Sequence, residues 1–244
     1  MTDGPSRSHP NRGSHNWLAY ALIDRNLVQA ASLVHGNVLD AGCGSSPYRQ
    51  FILSHADSYT GLDWGSSQHH ATPDVVADLN GRLPLDDGSF DTVFCLSVLE
   101  HLHSPHIALG EFSRVLRSGG HLVLQVPWQW GLHEVPHDYY RFTPFCLRRL
   151  LEAAGFSDVV IVSQGGCFSM LFLKFNYLSL RLLRGPVLFR KIAKALLWPV
   201  WWLSQSVAPT LDRLDGNRPA EAGGYFVTAS RPERQVTAGD ESRA

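Results

Sequence analysis

VLDAGCGSSPY, Val38 to Tyr48, is the stretch whose reading decides the fold: an apolar run closes on an acid, and two glycines then surround a cysteine. A strand, a glycine-rich turn and a helix N-terminus bring backbone N–H groups close to a nucleotide-like ligand. The full dinucleotide fingerprint needs a third glycine for tight helix–strand packing. Gly42 and Gly44 supply the first two, and Pro47 stands where the third would be. A loop gripping a pyrophosphate, and with it a nicotinamide dehydrogenase, is therefore disfavoured.

Outward from this loop, helical and strand patterns alternate between Trp17 and Leu151, the mark of a parallel sheet covered on both faces. A helix over 16–34 precedes a strand over 37–41, and a short helix over 48–55 follows the loop. Strands are expected over 58–63, 74–78 and 90–97, then a helix over 105–116 closed by Gly119-Gly120. HLVLQVP reads as the next strand. Thr143 and Pro144 suit the N-cap and first position of a helix that exits at Gly155. SDVVIVS and GYFVTAS read as the last two strands, and the span between them, 168–223, is too long for an ordinary connection.

Three acids end or follow successive strands: Asp40, Asp63 in YTGLDWG and Asp78 in VADLN. An ionised carboxylate accepts only, so Asp63 is suited to both hydroxyls of a ribose. Asp78 is suited to an adenine amino group, with the Leu79 N–H beside a ring nitrogen. With FDTVFCLSVLEHL and LRSGGHLVLQVP in the same order, Val38 to Val126 resembles a class I S-adenosylmethionine-dependent methyltransferase of the broad type 11 kind. Ser46 replaces the third glycine of that family's fullest motif.

The resemblance implies an α/β, Rossmann-like, seven-stranded and mostly parallel sheet with helices on both faces. Its last strand is antiparallel, and here a helical insertion precedes that strand. It also implies S-adenosyl-L-methionine as cofactor, with Asp40, Gly42 and Gly44 on the methionine and ribose side, Asp63 on the ribose, Asp78 and Leu79 at the adenine, and Ser97 beside the sulfonium.

Composition sets the remaining bounds. Hydrophobic residues at 44% and charged residues at 18% describe a folded domain, and a formal net charge of −1 provides no field to draw nucleic acid. The four cysteines show no paired spacing, and the first sixteen residues contain no apolar signal segment, so a cytoplasmic protein with reduced thiols is expected. Residues 1–15 and 233–244 read as disordered tails around a domain spanning 16–232.

Methyl transfer asks for a base only where the acceptor carries a proton. The loop WQWGLHEVPHDYYRFT concentrates titratable groups after the fifth strand, and SVLEHLH adds His101 after the fourth. His101, His133 or His137 is a candidate base, Asp138 a candidate orienting group, Arg141 a candidate grip on a carboxylate or phosphate, and Tyr140 a further candidate catalytic residue. An internal Asp138–Arg141 pair within a rigid turn is the competing reading. His133, His137 and Asp138 are conceivable metal ligands, but a loop supplies no fixed ligand spacing, and no metal site is expected. The segment resembles one in methyltransferases that accompany bacterial surface-polysaccharide synthesis, which points to a glycan hydroxyl as acceptor.

The insertion has no acid between Asp158 and Asp212, while Lys174, Arg181, Arg184, Arg190, Lys191 and Lys194 punctuate Leu, Phe, Ile and Trp. This pattern suits helices lying in a membrane interface over 170–207, at the inner face of the cell membrane, and equally a helical lid or dimer face packed on the sheet. A lipid-linked acceptor, a lipid or quinone-like small molecule, and a catalytically inactive cofactor-binding partner are the remaining readings.

Overall fold

The computed structural model describes residues 4–65, 72–215 and 218–233. Seven strands form one sheet: β1 (Asn37–Ala41), β2 (Ser58–Asp63), β3 (Val75–Val76), β4 (Phe90–Leu96), β5 (Leu116–Pro127), β6 (Ser157–Gln164) and β7 (Gly224–Ser230). Their spatial order is β3-β2-β1-β4-β5-β7-β6. The first five are parallel, and β7 runs antiparallel between β5 and β6. Strands β1 and β4 are largely buried on both faces, as suits their apolar centres, whereas the edge strand β6 alternates half-buried and exposed positions.

One face of the sheet is covered by α3 (Pro105–Val115) and α4 (Pro144–Ala153), which bury Leu109, Phe112, Leu147 and Leu151 against Leu39, Leu122 and Leu124. The other is covered by α1 (Trp17–Gln29) and α2 (Arg49–Leu53), whose Leu27 and Ile52 meet Val38, Phe94, Val123 and Phe226. The Thr143 hydroxyl accepts from the Cys146 amide, so it caps α4 as its sequence suggests. Gly119-Gly120 does not stop α3. That helix has already ended at Val115, and the pair lies within β5, where a side chain on Gly120 would meet the Asp91 and Arg117 carbonyls at 2.9 Å.

The insertion forms two helices, α5 (Cys167–Leu182) and α6 (Val187–Leu211), with Gly185 at positive φ between them. Asp212 ties them together. Its carboxylate accepts the Phe168 and Ser169 amides and the Ser169 hydroxyl, so the exit of α6 caps the entry of α5.

Residues 4–15 do not behave as the tail their composition suggests. Ser6 donates its amide and hydroxyl to the buried Asp24 carboxylate, which also receives Arg12 at 3.1 Å. A charge buried in α1 needs such partners, and the N-terminal segment supplies them. The Gln205 side-chain amide joins the insertion to α1, by accepting the Leu18 N–H, and to the same segment, by donating to the Ser14 carbonyl. The C-terminal tail expected from Glu233 onward lies, after its first residue, outside the described residues. Replacing Asp212 by Ala should lower stability by about 2–4 kcal/mol, because two amides and a hydroxyl lose a charged acceptor. Urea unfolding against the native chain measures this loss.

Candidate functional site

The strand order reverses direction at β1, which pairs with both β2 and β4. Open α/β sheets leave a crevice at the carboxyl ends of the strands at such a point. Here it holds a cavity of about 280 Å³ lined by the residues that follow β1 to β5.

Gly42 takes φ +77° and donates to the Leu62 carbonyl at 2.7 Å, and a Cβ at this position would lie 2.4 Å from Val98. Only glycine fits there. Asp63 ends β2 with its carboxylate 2.8 Å from the amides of both Gly44 and Trp64, so one oxygen holds the loop and the other holds its own turn. Each oxygen keeps a lone pair for a ligand. Asp78 accepts the Asn80 amide and side chain, and Asn80 in turn accepts the Ser104 amide, fixing the wall behind β3. Ser97, at φ +55°, is bound to Gln125 by its amide and by its hydroxyl at 2.5 Å.

The structure thus gathers Gly42, Gly44, Asp63, Asp78, Leu79 and Ser97 around one space, together with His101 and His137. Asp40 is elsewhere. It is buried beneath the loop, and Tyr59 donates to it at 2.8 Å. Burial pushes its carboxyl up to about 6, against the opposing Tyr59 hydrogen bond. Cys43 is a packing residue, its thiol pushed up to about 12 mainly by burial.

The loop after β5 divides into two parts. His137 lines the cavity, its ring edge-on to Trp64 at 5.1 Å and its Nδ1 3.1 Å from the Tyr139 hydroxyl. Asp138 and Arg141 point inward as a two-bond pair at 2.6 and 2.8 Å, and Asp138 also receives the His133 amide. The Arg141 guanidinium holds the Asp138 carboxyl down at about 2. Arg141 is therefore committed to the loop rather than to an acceptor. Tyr140 stacks on Phe142 and donates to the His103 carbonyl, away from the cavity. His133 sits behind His101, ring to ring at 4.7 Å.

His101 reaches the cavity wall, but its free nitrogen does not. Nδ1 lies 2.7 Å from the His137 carbonyl, and a carbonyl only accepts, so Nδ1 carries the proton. Nε2 is buried and faces Glu100 at 3.6 Å. Glu100, Trp64, Asn80 and Pro136 belong to the site's surroundings without having been singled out in the sequence, and Glu134, one of the titratable residues of the loop after β5, lines the cavity too. In SVLEHL, Glu100 sits among apolar residues with nothing to mark it as inward-facing.

Residues 39–124 match the family model described as a methyltransferase domain. This segment is a methyltransferase domain. The tRNA U34 carboxymethyltransferase of Syntrophotalea carbinolica is 40% identical over 94 residues, covering 34% of this chain and 29% of that one. The ubiquinone biosynthesis O-methyltransferase of Chromobacterium violaceum is 28% identical, covering 62% of this chain and 75% of its own. The chain spans between 29% and 58% of the length of the tRNA U34 carboxymethyltransferases it matches. Among solved structures, the [4+2]-cyclase SpnF shares the fold at a TM-score of 0.59 and 20% identity, over 92% of this chain and 85% of that one.

The cofactor of the methyltransferase domain is S-adenosylmethionine, and the lining fits it. Two carboxylates suit the ribose diol and the adenine amine, Ala77, Leu79 and Leu102 suit the base, and the glycine turn leaves room for close backbone approach. Gly42→Ala should weaken S-adenosylhomocysteine binding more than 10-fold in calorimetry, since the methyl group and Val98 cannot both be accommodated.

Asp40 also makes stability depend on pH. Its carboxyl holds a proton more tightly in the folded chain, at about 6, than the ordinary 3.8. The associated stability is full below about pH 4 and is lost as pH rises through 6, a fall of about 3 kcal/mol at about 1.4 kcal/mol per pH unit. Asp40→Asn should lack this component, so the variant should gain on the native chain between pH 4 and 7 in chemical denaturation.

Proposed function

We propose that this chain methylates oxygen on a hydroxylated, lipid-associated acceptor, using S-adenosylmethionine. The observation that carries the reading is the single cavity that joins the cofactor-suited acids Asp63 and Asp78 to the imidazole of His137. When bound, the cofactor supplies a methyl group already activated by the sulfonium charge, so the protein's part is alignment and proton removal. Asp63, Asp78 and the Gly42–Gly44 turn hold the nucleoside. Ser97, locked on Gln125, shapes the wall at the end of β4.

Removal of the acceptor proton falls to His137. His101 is the other imidazole at the cavity, and its basic nitrogen is turned into the protein. Trp64 and Tyr139 border the His137 ring and orient it. A base in this position contributes typically about 10²–10⁴-fold to rate.

The acceptor class rests on α5 and α6. Leu171, Phe175, Leu178, Leu188, Phe189, Ile192, Leu196, Trp198, Trp202 and Leu203 are exposed there, interspersed with six cations and no acid. Such a surface suits the interface of an anionic membrane. Among the described residues no helix is long and apolar enough to cross a membrane. The similarity to a ubiquinone biosynthesis O-methyltransferase supports an apolar hydroxylated acceptor. A glycan acceptor, which the PHDYYRFT segment suggests, has no support from the relatives named above. A nucleic-acid acceptor draws on the tRNA-modifying relatives, but the exposed Leu, Phe and Trp between the cations disfavour it.

The test is transfer of a labelled methyl group from S-adenosylmethionine into a cell extract, followed by separation of lipid, polysaccharide and tRNA. Label in the lipid fraction is the expected result, and label confined to polysaccharide or tRNA overturns the acceptor class. His137→Ala should reduce kcat by about 100-fold or more while S-adenosylhomocysteine binding stays intact. An unchanged kcat would remove His137 as base.

A further inference from the structure

We infer that Glu100, His101 and His133 form a binding site for one divalent transition-metal ion, beside the methyl-transfer cavity. One donor atom from each lies within 4.8 Å of the other two. Glu100 is fully buried, and among the described residues neither of its carboxylate oxygens finds a hydrogen-bond donor. A buried carboxylate without a hydrogen bond costs several kcal/mol, so a group placed this way calls for a cation.

The two histidines are set up to ligate. His101 gives its Nδ1 proton to the His137 carbonyl, leaving the Nε2 lone pair facing Glu100 at 3.6 Å. His133 points Nδ1 at the Gly131 carbonyl, 3.2 Å away, and Asp138 flanks the same nitrogen at 3.4 Å. Its Nε2 therefore also turns a lone pair toward Glu100, at 3.7 Å. A backbone carbonyl or carboxylate on the far nitrogen is the usual support of a metal-bound imidazole, because it sets the tautomer and the ring angle.

The separations point the same way. A hydrogen-bonded imidazole–carboxylate pair closes to about 2.8 Å. Donors that share one tetrahedral ion at about 2.1 Å stand about 3.4 Å apart. The observed 3.6 and 3.7 Å match the second arrangement. Glu134, 3.9 Å from His101 Nε2 and more exposed, is positioned as a fourth donor on the outer side. Two imidazoles with carboxylate oxygen favour zinc, cobalt or a similar ion over magnesium or calcium.

The three ligands come from two segments. Glu100 and His101 lie in the turn after β4, and His133 lies in the loop after β5, so a bound ion fastens the loop that carries His137 to the cavity wall. The site does not depend on which acceptor is methylated.

The test uses the untagged full chain, freed of metal by chelation and titrated with Co²⁺. Visible d–d absorption saturating at one equivalent is expected, with a matching rise in Tm on addition of Zn²⁺. Glu100→Gln and His133→Ala should each weaken Co²⁺ by more than the roughly 10–100-fold that loss of a supporting partner costs. His133 is partly exposed, so its variant remains informative if the Glu100 variant does not fold. S-adenosylhomocysteine binding, measured in parallel, should persist in His133→Ala. No absorption in the native chain, or absorption unchanged in folded His133→Ala, overturns the site.

Discussion

The site depends on one carboxylate. Asp63 spans the amides of Gly44 and Trp64, and in doing so it joins the turn after β1 to the turn after β2. Without that acceptor, two backbone donors would be stranded beside the end of the buried strand β1. The same oxygens face the cavity. A group that secures the loop is therefore also the group that a ribose would meet, and the loop is held in position before any ligand arrives. Preorganisation of this kind limits the ordering cost of binding.

A second carboxylate organises the other wall. Asp138, paired with Arg141 and bound to the His133 amide, makes the loop after β5 a rigid unit despite its length. Its rigidity transmits to His137 through the backbone, whose carbonyl at this residue takes the His101 proton. The residues that look most reactive in the sequence thus divide by role. Asp138, Arg141 and Tyr140 build the loop, His137 faces the ligand space, and His101 and His133 look inward toward Glu100.

Much of this was legible beforehand because it rests on periodicity and turn chemistry. The run VLDAGCG, the acids Asp63 and Asp78 and the cap at Thr143 are local signals, and local signals survive folding. What escaped is non-local. Asp40 stands in the right motif, yet Tyr59 on the neighbouring strand draws it beneath the loop, a pairing that only the register of β1 with β2 creates. Glu100 reads as one more residue of an apolar turn until the loop after β5 folds across it. The N-terminal segment has the composition of a tail, and only the buried Asp24, many residues away, gives it a reason to stay.

The position of β7 carries a consequence for how the molecule is made. It is the last strand among the described residues, yet it lies between β5 and β6, pairing His121 with Ser230 on one side and Gln164 with Gly224 on the other. Until it arrives, β6, which precedes it by the length of α5 and α6, and β5, which lies earlier still, each lack the neighbour they have in the finished sheet. Closing the sheet is therefore a late, long-range event, slow by the ordinary relation between sequence separation and folding rate. A chain emerging from the ribosome must keep those edges from foreign strands until β7 is synthesised. The hairpin of α5 and α6 is synthesised in that interval, between β6 and the strand that closes the sheet.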